Sequence, residues 1–222
     1  TRKESSAASD VYKRQELTSL LKNNTIGSAS DRALLLDFRA ANEKKTEKAI
    51  ELEKEAVELI SEVTAENALL AANLHANLGG LYKQTGKLEL AKRHMETGIS
   101  LLEQYGLVPY HDSIPQISNY AVLLTDMGEP QLGLSALQKL ARVIREYNSD
   151  ESGDYAYVQE AMGNICLLTG DVPQATKHLK KALAVYEVLF DAEPELIEEK
   201  KQDILETYAQ AGVHLGRQLF QI

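Results

Sequence analysis

The sequence predicts an all-α fold: a right-handed α-α superhelix, or solenoid, of antiparallel helix hairpins. Three observations predict it. First, 222 residues hold only 5 Pro and 13 Gly, with 44% hydrophobic residues and abundant Ala, Leu, Glu and Lys, the better helix formers. Second, landmark residues recur every 42 positions. Third, apolar residues three or four apart run up to a glycine, and a second such run follows.

The period is clearest in the middle of the chain. Gly86, Gly128 and Gly170 share it, as do Leu78, Tyr120 and Met162, and Gly79, Ala121 and Gly163. Ala91, Gly133 and Ala175 follow, then Gly98, Leu140 and Ala182. Forward it reaches Ile204, Tyr208 and Gly212; backward it reaches Leu36, Ala49 and Ala56.

Taken in chain order, the elements read as follows. Residues 30–71 form a degenerate repeat, with Asp37 where a small residue is expected and Lys44 where glycine is expected. Residues 72–113 form a full repeat. Leu74, Leu78, Leu81 and Tyr82 line one face of its first helix, and Gly86 ends that helix in left-handed backbone. Gly79, Ala91 and Gly98 are small where two backbones cross ~8–10 Å apart. Residues 114–155 repeat this, with Pro130 in the first turn of the second helix, where its missing N–H costs nothing. Residues 156–197 do so again, with Asp171 as N-cap, Pro173 in the first turn, and Gly163, Ala175 and Ala182 at the crossing. Residues 198–222 are a partial or capping repeat, with Gly216 and Arg217 near an expected Ala.

These residues resemble the tetratricopeptide repeat. The family pattern Leu-Gly-x-x-Tyr, then Gly, then Ala, an apolar residue and Ala, stands here as Leu78-Gly79-x-x-Tyr82, Gly86, Ala91, Met95 and Gly98. It returns as Met162-Gly163-x-x-Cys166, Gly170, Ala175, Leu179 and Ala182. The usual period is ~34 residues. The longer one here is similar to the long-helix variety of kinesin light chains and bacterial repeat proteins, and residues 182–195 are similar to its connector. The resemblance covers most of residues 30–222.

The start of the chain is different. Residues 5–15, SSAASDVYKRQ, resemble translated adapter DNA from transposase-based sequencing kits. Residues 1–15 are therefore expected to be a non-native, disordered tail, and 16–29 an N-terminal flank or helix. The natural sequence is expected to begin near Glu16, with its true start missing. Setting the tail aside removes four bases and two acids, so the net charge of −9 becomes −11.

Composition excludes several classes of function. The acidic balance argues against nucleic acid, since phosphate binding needs clustered Lys and Arg. Lys83, Lys87, Lys92 and Arg93 are too few to reverse this. No apolar run approaches the ~18 residues of a membrane helix. The single Cys166 cannot form an internal disulfide and reads as a buried apolar residue. Cytoplasmic location is expected.

No enzyme signature stands out, and neither cofactor nor metal is expected. The five histidines are His75, His94, His111, His178 and His214. His94 and His178 hold one repeat position, expected exposed and too far apart to share a metal. Gly79-Gly80 does not fit a phosphate loop and reads as mid-helix packing. The run 187–206 carries eight acids and two bases, read as a solvated face.

The expected partner is therefore a protein or peptide. In the family a concave groove is lined by the first helix of each repeat. The resemblance places there Asn73, Ala76, Gly80, Lys83 and Gln84; then Ser118, Val122, Thr125 and Asp126; then Tyr157, Glu160, Asn164, Leu167 and Leu168. Side-chain amides there can both donate to and accept from a peptide backbone. The family's clamp for an acidic chaperone tail is matched at Asn119 only; Ala76, Gly80, Tyr157 and Ala161 depart from it, so no such tail should bind. The function implied is a non-catalytic binding scaffold. The alternative is the peptide-sensing arm of a transcriptional regulator or signalling enzyme whose N-terminal domain is missing.

Overall fold

The computed structural model describes residues 27–108 and 110–212. The adapter-like tail, most of the flank, His214, Gly216 and Arg217 lie outside the described residues. Among those described there are nine α-helices, and adjacent helices pack as pairs. The chain divides into two compact units, up to Tyr105 and from Gly106 onward.

Unit 1 holds two hairpins. Helix α1 (Ala29–Ala41) packs on α2 (Thr46–Leu59), and α3 (Ala68–Gln84) on α4 (Leu88–Gln104). Helix α1 begins with a capping box. Ser28 Oγ accepts from the Asp31 N–H, and the Asp31 carboxylate accepts from the Ser28 N–H. Ala33, Leu36 and Ala40 from α1 meet Ala49, Leu52 and Ala56 from α2, and Ala71 and Leu74 from α3. The α1–α2 turn lacks the expected glycine. The Glu43 carboxylate accepts from the backbone N–H groups of Lys44 and Lys45 at 2.9 and 3.2 Å, so a side chain closes this turn.

Unit 2 opens with a 3₁₀ turn, His111–Ser113. Helices α5 (Ile114–Asp126) and α6 (Pro130–Tyr147) form one hairpin, α7 (Gly153–Leu168) and α8 (Val172–Leu189) the next. Helix α9 (Pro194–Gln210) packs on α8. Asp171 caps α8 by accepting from the Gln174 N–H at 3.2 Å. Cys166, Leu167, Ala175, Leu179, Leu183, Ile204 and Tyr208 form the core beneath α9. The Tyr208 hydroxyl donates to Thr176 Oγ1 at 2.9 Å.

The periodic glycines do what their spacing suggests. Gly86, Gly128, Gly170 and Gly212 all hold left-handed backbone, with φ between 72° and 82°. After Gly86 the Lys87 N–H returns to the Tyr82 carbonyl at 2.9 Å, while the Gly86 N–H takes the Lys83 carbonyl at 3.0 Å. The same two bonds recur at Gly128 with Glu129, and at Gly170 with Asp171. This paired closure satisfies carbonyls that a helix end leaves open.

The crossings also need their small residues. A Cβ on Gly133 would stand 2.6 Å from the Ala121 carbonyl oxygen, and one on Gly98 2.9 Å from that of Ala72. Gly79 and Gly163 press on Met95 and Leu179. Gly80 differs from the packing expectation, since a Cβ there would meet nothing within 4 Å.

Candidate functional site

Helix α3 carries the expected residues of unit 1. Asn73, Ala76, Gly80, Lys83 and Gln84 are spaced to share one face of it. Gln84 is exposed and the other four are half-buried. The opposite face, with Leu74, Leu78 and Tyr82, is buried.

In unit 2, α5 places Val122 and Thr125 half-buried and Asp126 exposed at its end. The Thr125 hydroxyl donates to its own helix, at the Ala121 carbonyl, 2.9 Å away. Ser118 differs from the expectation, being only 3% exposed. It lies on the interior side of α5 with Ile117 and Ala121. Helix α7 exposes Tyr157 and Leu168 (42% and 66%) and half-exposes Glu160 and Asn164. Leu167 also departs from the expectation. One residue from Leu168 is a turn of about 100°, which points Leu167 into the core with Leu179 and Tyr208.

The face of α7 is thus Tyr157, Glu160, Asn164 and Leu168. Its polar chemistry is partly committed inside the fold. Glu160 accepts from the Tyr186 hydroxyl of α8 at 3.0 Å and lies 4.0 Å from Lys200 of α9. Burial and the Glu160 charge push the Tyr186 phenol above its ordinary range. Asn164 Oδ1 is shielded from solvent and has no hydrogen-bond partner, a cost inside the fold.

Several polar groups escaped the sequence reading. Glu53 of α2 is buried, faces Asp37 of α1 and meets Asn77 of α3. Asn77 donates to Asp37 at 2.9 Å. Burial, and then the facing Asp37, push the Glu53 carboxyl up to about 9, so it is protonated at neutral pH. The unexpected acid at Asp37 is the acceptor of this arrangement.

The histidines are less exposed than their repeat position suggests. His94 Nδ1 lies 3.0 Å from His75 Nδ1, with the rings stacked, and His178 Nδ1 lies 2.8 Å from Gln159 Oε1. Both pairs are 19 residues apart, and that recurrence was the available signal. Desolvation lowers the pKa of all three histidines, His75 to about 4. His111 is exposed and its pKa is raised by a hydrogen bond to Asp154.

Two other expectations can be placed. Cys166 is buried, and burial raises its thiol pKa, which suits packing better than nucleophilic attack. In the acidic run, Lys201 pairs with Glu187 and Glu198, and Lys200 with Asp203, so the two bases neutralise part of it locally. No helix among the described residues is long and apolar enough to cross a membrane.

These hairpins define a helical repeat protein, and comparison with known proteins says which kind. Residues 113–187 match the tetratricopeptide repeat family model. The crystal structure of BtubC (BKLC) from P. vanneervenii has the same fold, with a TM-score of 0.70 and 20% identity over 96% of this chain and 86% of that one. A point variant of a Podosopora anserina protein assigned as a kinesin light chain, with nearly identical TPR-like repeats, is similar as well. There the TM-score is 0.69, with 14% identity over 85% of this chain and 92% of that one. A second crystal structure of those repeats gives 0.67 at the same identity and coverage. No curated protein matches the sequence. The fold is that of tetratricopeptide-type repeats.

Proposed function

We propose that this chain is a non-catalytic interaction module that binds an extended peptide or a partner protein along the outward faces of its first helices. The observation that carries the reading is the face of α7. It offers two exposed apolar side chains, Tyr157 and Leu168, on either side of the half-exposed amide of Asn164. A half-exposed amide between apolar contacts suits a peptide: its backbone needs polar partners, and its side chains need apolar surface. The α3 face in unit 1 adds Asn73, Lys83 and Gln84 around an open Gly80. The repeat match over residues 113–187 supports the same reading. With its one cysteine free, we assign the module to the reducing cytoplasm.

The test is a peptide library selected against the whole chain, followed by titration of the winning sequence. Asn164→Ala and Tyr157→Ala should each weaken binding by about 1–3 kcal/mol. Lys180→Ala, an exposed change on α8, should leave it unchanged. Equal losses at all three positions, or none at Asn164 and Tyr157, would contradict the assignment.

A further inference from the structure

The repeat supplies its own internal control for the His75–His94 pair. Shifted by two periods, positions 75 and 94 become 159 and 178, and these hold Gln159 and His178. In both hairpins the two side chains bridge the first helix to the second, at 3.0 Å in α3/α4 and 2.8 Å in α7/α8. The repeat between them holds Ile117 and Ala136, which offer no polar atoms for a bridge. One position in the fold thus carries three chemistries: apolar, amide–imidazole and imidazole–imidazole.

The two polar bridges answer protons differently. Gln159 Oε1 accepts from the His178 Nδ1–H whether that ring is neutral or charged, because an amide oxygen does not titrate here. The His75–His94 bridge needs one Nδ1 to donate and the other to keep its lone pair. One added proton puts a charge in a half-buried site. A second leaves no acceptor and sets two cations against each other.

The surroundings give little relief to such charge. Tyr82 on α3 lies against His94, with ring centroids 5.4 Å apart, and the Lys87 ammonium sits 5.9 Å from the Tyr82 ring. Arg93 on α4 already acts against a charge on His94. From α1 and α2, Asp37 and Glu53 reach α3 at Asn77, where burial and the facing Asp37 keep Glu53 protonated. Behind the bridge the helices have no slack, since Gly98 abuts the Ala72 carbonyl and the His75 Cβ.

We propose that the His75–His94 bridge makes the α3/α4 hairpin an acid-release joint, opened by protonation, while the Gln159–His178 bridge keeps its hydrogen bond in acid and holds α7/α8 more firmly. The sign follows from the imidazoles. Their folded-state pKa values lie below the ordinary 6.5, so the opened hairpin binds protons more readily. The joint's contribution is complete above pH 6.5 and is lost as the pH falls toward about 4, where His75 titrates in the folded form. Opening would also carry away the α3 face that holds Asn73, Lys83 and Gln84.

Amide hydrogen exchange on the whole chain tests this, reading protection factors separately for α4 and α8 at pH 7 and pH 5. Each unit of pKa difference is worth about tenfold. Protection in α4 should therefore fall roughly tenfold or more, and protection in α8 should fall clearly less, since burial lowers the His178 pKa too but its hydrogen bond to Gln159 survives protonation. His75→Gln copies the bridge of unit 2 and should reduce the acid loss of α4 to about that of α8, the remainder coming from His94. Gln159→His copies the bridge of unit 1 and should give α8 the same acid loss, which keeps the test alive if the first variant does not fold. Protection in α4 that is no more acid-sensitive than in α8, or a Gln159→His chain whose α8 loses no more protection in acid than the parent's, would overturn the proposal.

Discussion

In unit 1 the polar groups held between helices include Glu53, the Asn77–Asp37 pair, His75 and His94; in unit 2 they include Gln159 with His178, Ser118 and the Tyr186–Glu160 pair. Unit 1 thus holds a buried acid and a bridge in which both partners, His75 and His94, can change charge, whereas the unit 2 bridge pairs its one imidazole, His178, with an amide. Gln159 and Ser118 have no such proton to gain or lose. Yet the backbone devices are the same in both units. Left-handed glycines close the hairpins of each at Gly86, Gly128 and Gly170. Small residues let the helices cross at Gly79, Gly98, Gly133 and Gly163. The repeat constrains turns and crossings because sterics admit few substitutes there. The bridging positions between helices are left open to chemical change, and through them two units of one architecture acquire different sensitivities.

The strongest way to break the shared part of this comparison is at a crossing. Gly133→Ala drives a Cβ toward a backbone oxygen that cannot swing aside, and should destabilise unit 2 by about 2–3 kcal/mol in urea unfolding. Gly79→Ala in unit 1 meets chiefly the Met95 side chain at 2.7 Å, which can repack, so its cost should be nearer 1 kcal/mol, on the order expected for a flexible neighbour. Equal costs would mean that backbone and side-chain neighbours resist a new Cβ alike, against the distinction drawn between the two crossings.

A turn comes next. Gly170→Ala places a Cβ on left-handed backbone, φ 79°, and should cost about 1–2 kcal/mol. Asp37 and Glu53 sharpen the contrast in unit 1. The folded-state pKa of Glu53 is raised, so its contribution is full below pH 4.5 and is lost as the pH rises toward about 9. Glu53→Gln keeps a donor toward Asp37 without a proton to lose. It should be close to neutral at about pH 4 and more stable than the parent by about 1–3 kcal/mol at about pH 9, measured by urea midpoint. The smallest effect is expected at Gly80→Ala. Open space and a helical backbone should yield a gain of about 0.5–1 kcal/mol in the same assay.

Much of the fold was legible in the sequence, because the features that carry it are local. A left-handed turn demands glycine, so Gly86, Gly128 and Gly170 announce their helix ends, and Asp171 announces the start of α8. Small residues at Ala91, Ala175 and Ala182 mark burial, and all three are fully buried. The candidate face was less legible. A first-helix position says which side of a helix a residue takes to within about one residue, and one residue is about 100° of rotation. That is the margin by which Leu167 and Ser118 fall inside while their chain neighbours Leu168 and Asn119 are exposed. The α1–α2 turn, closed by the Glu43 carboxylate, and the Asp37–Glu53 pair were not legible. Both depend on side chains meeting across space, and at Asp37 the sequence showed only a departure from the expected pattern. The His75–His94 bridge lay between these cases: the 19-residue spacing repeats in the sequence, but only the packed hairpin turns that spacing into contact.

The most direct test of the account is a footprint of bound peptide on the whole chain, read by amide chemical-shift changes residue by residue. Changes concentrated on the outward positions of α7, from Tyr157 through Asn164 to Leu168, with further changes on α3 or α5, are the predicted result. Changes concentrated on the second helices α4, α6 and α8, with α7 silent, would contradict it.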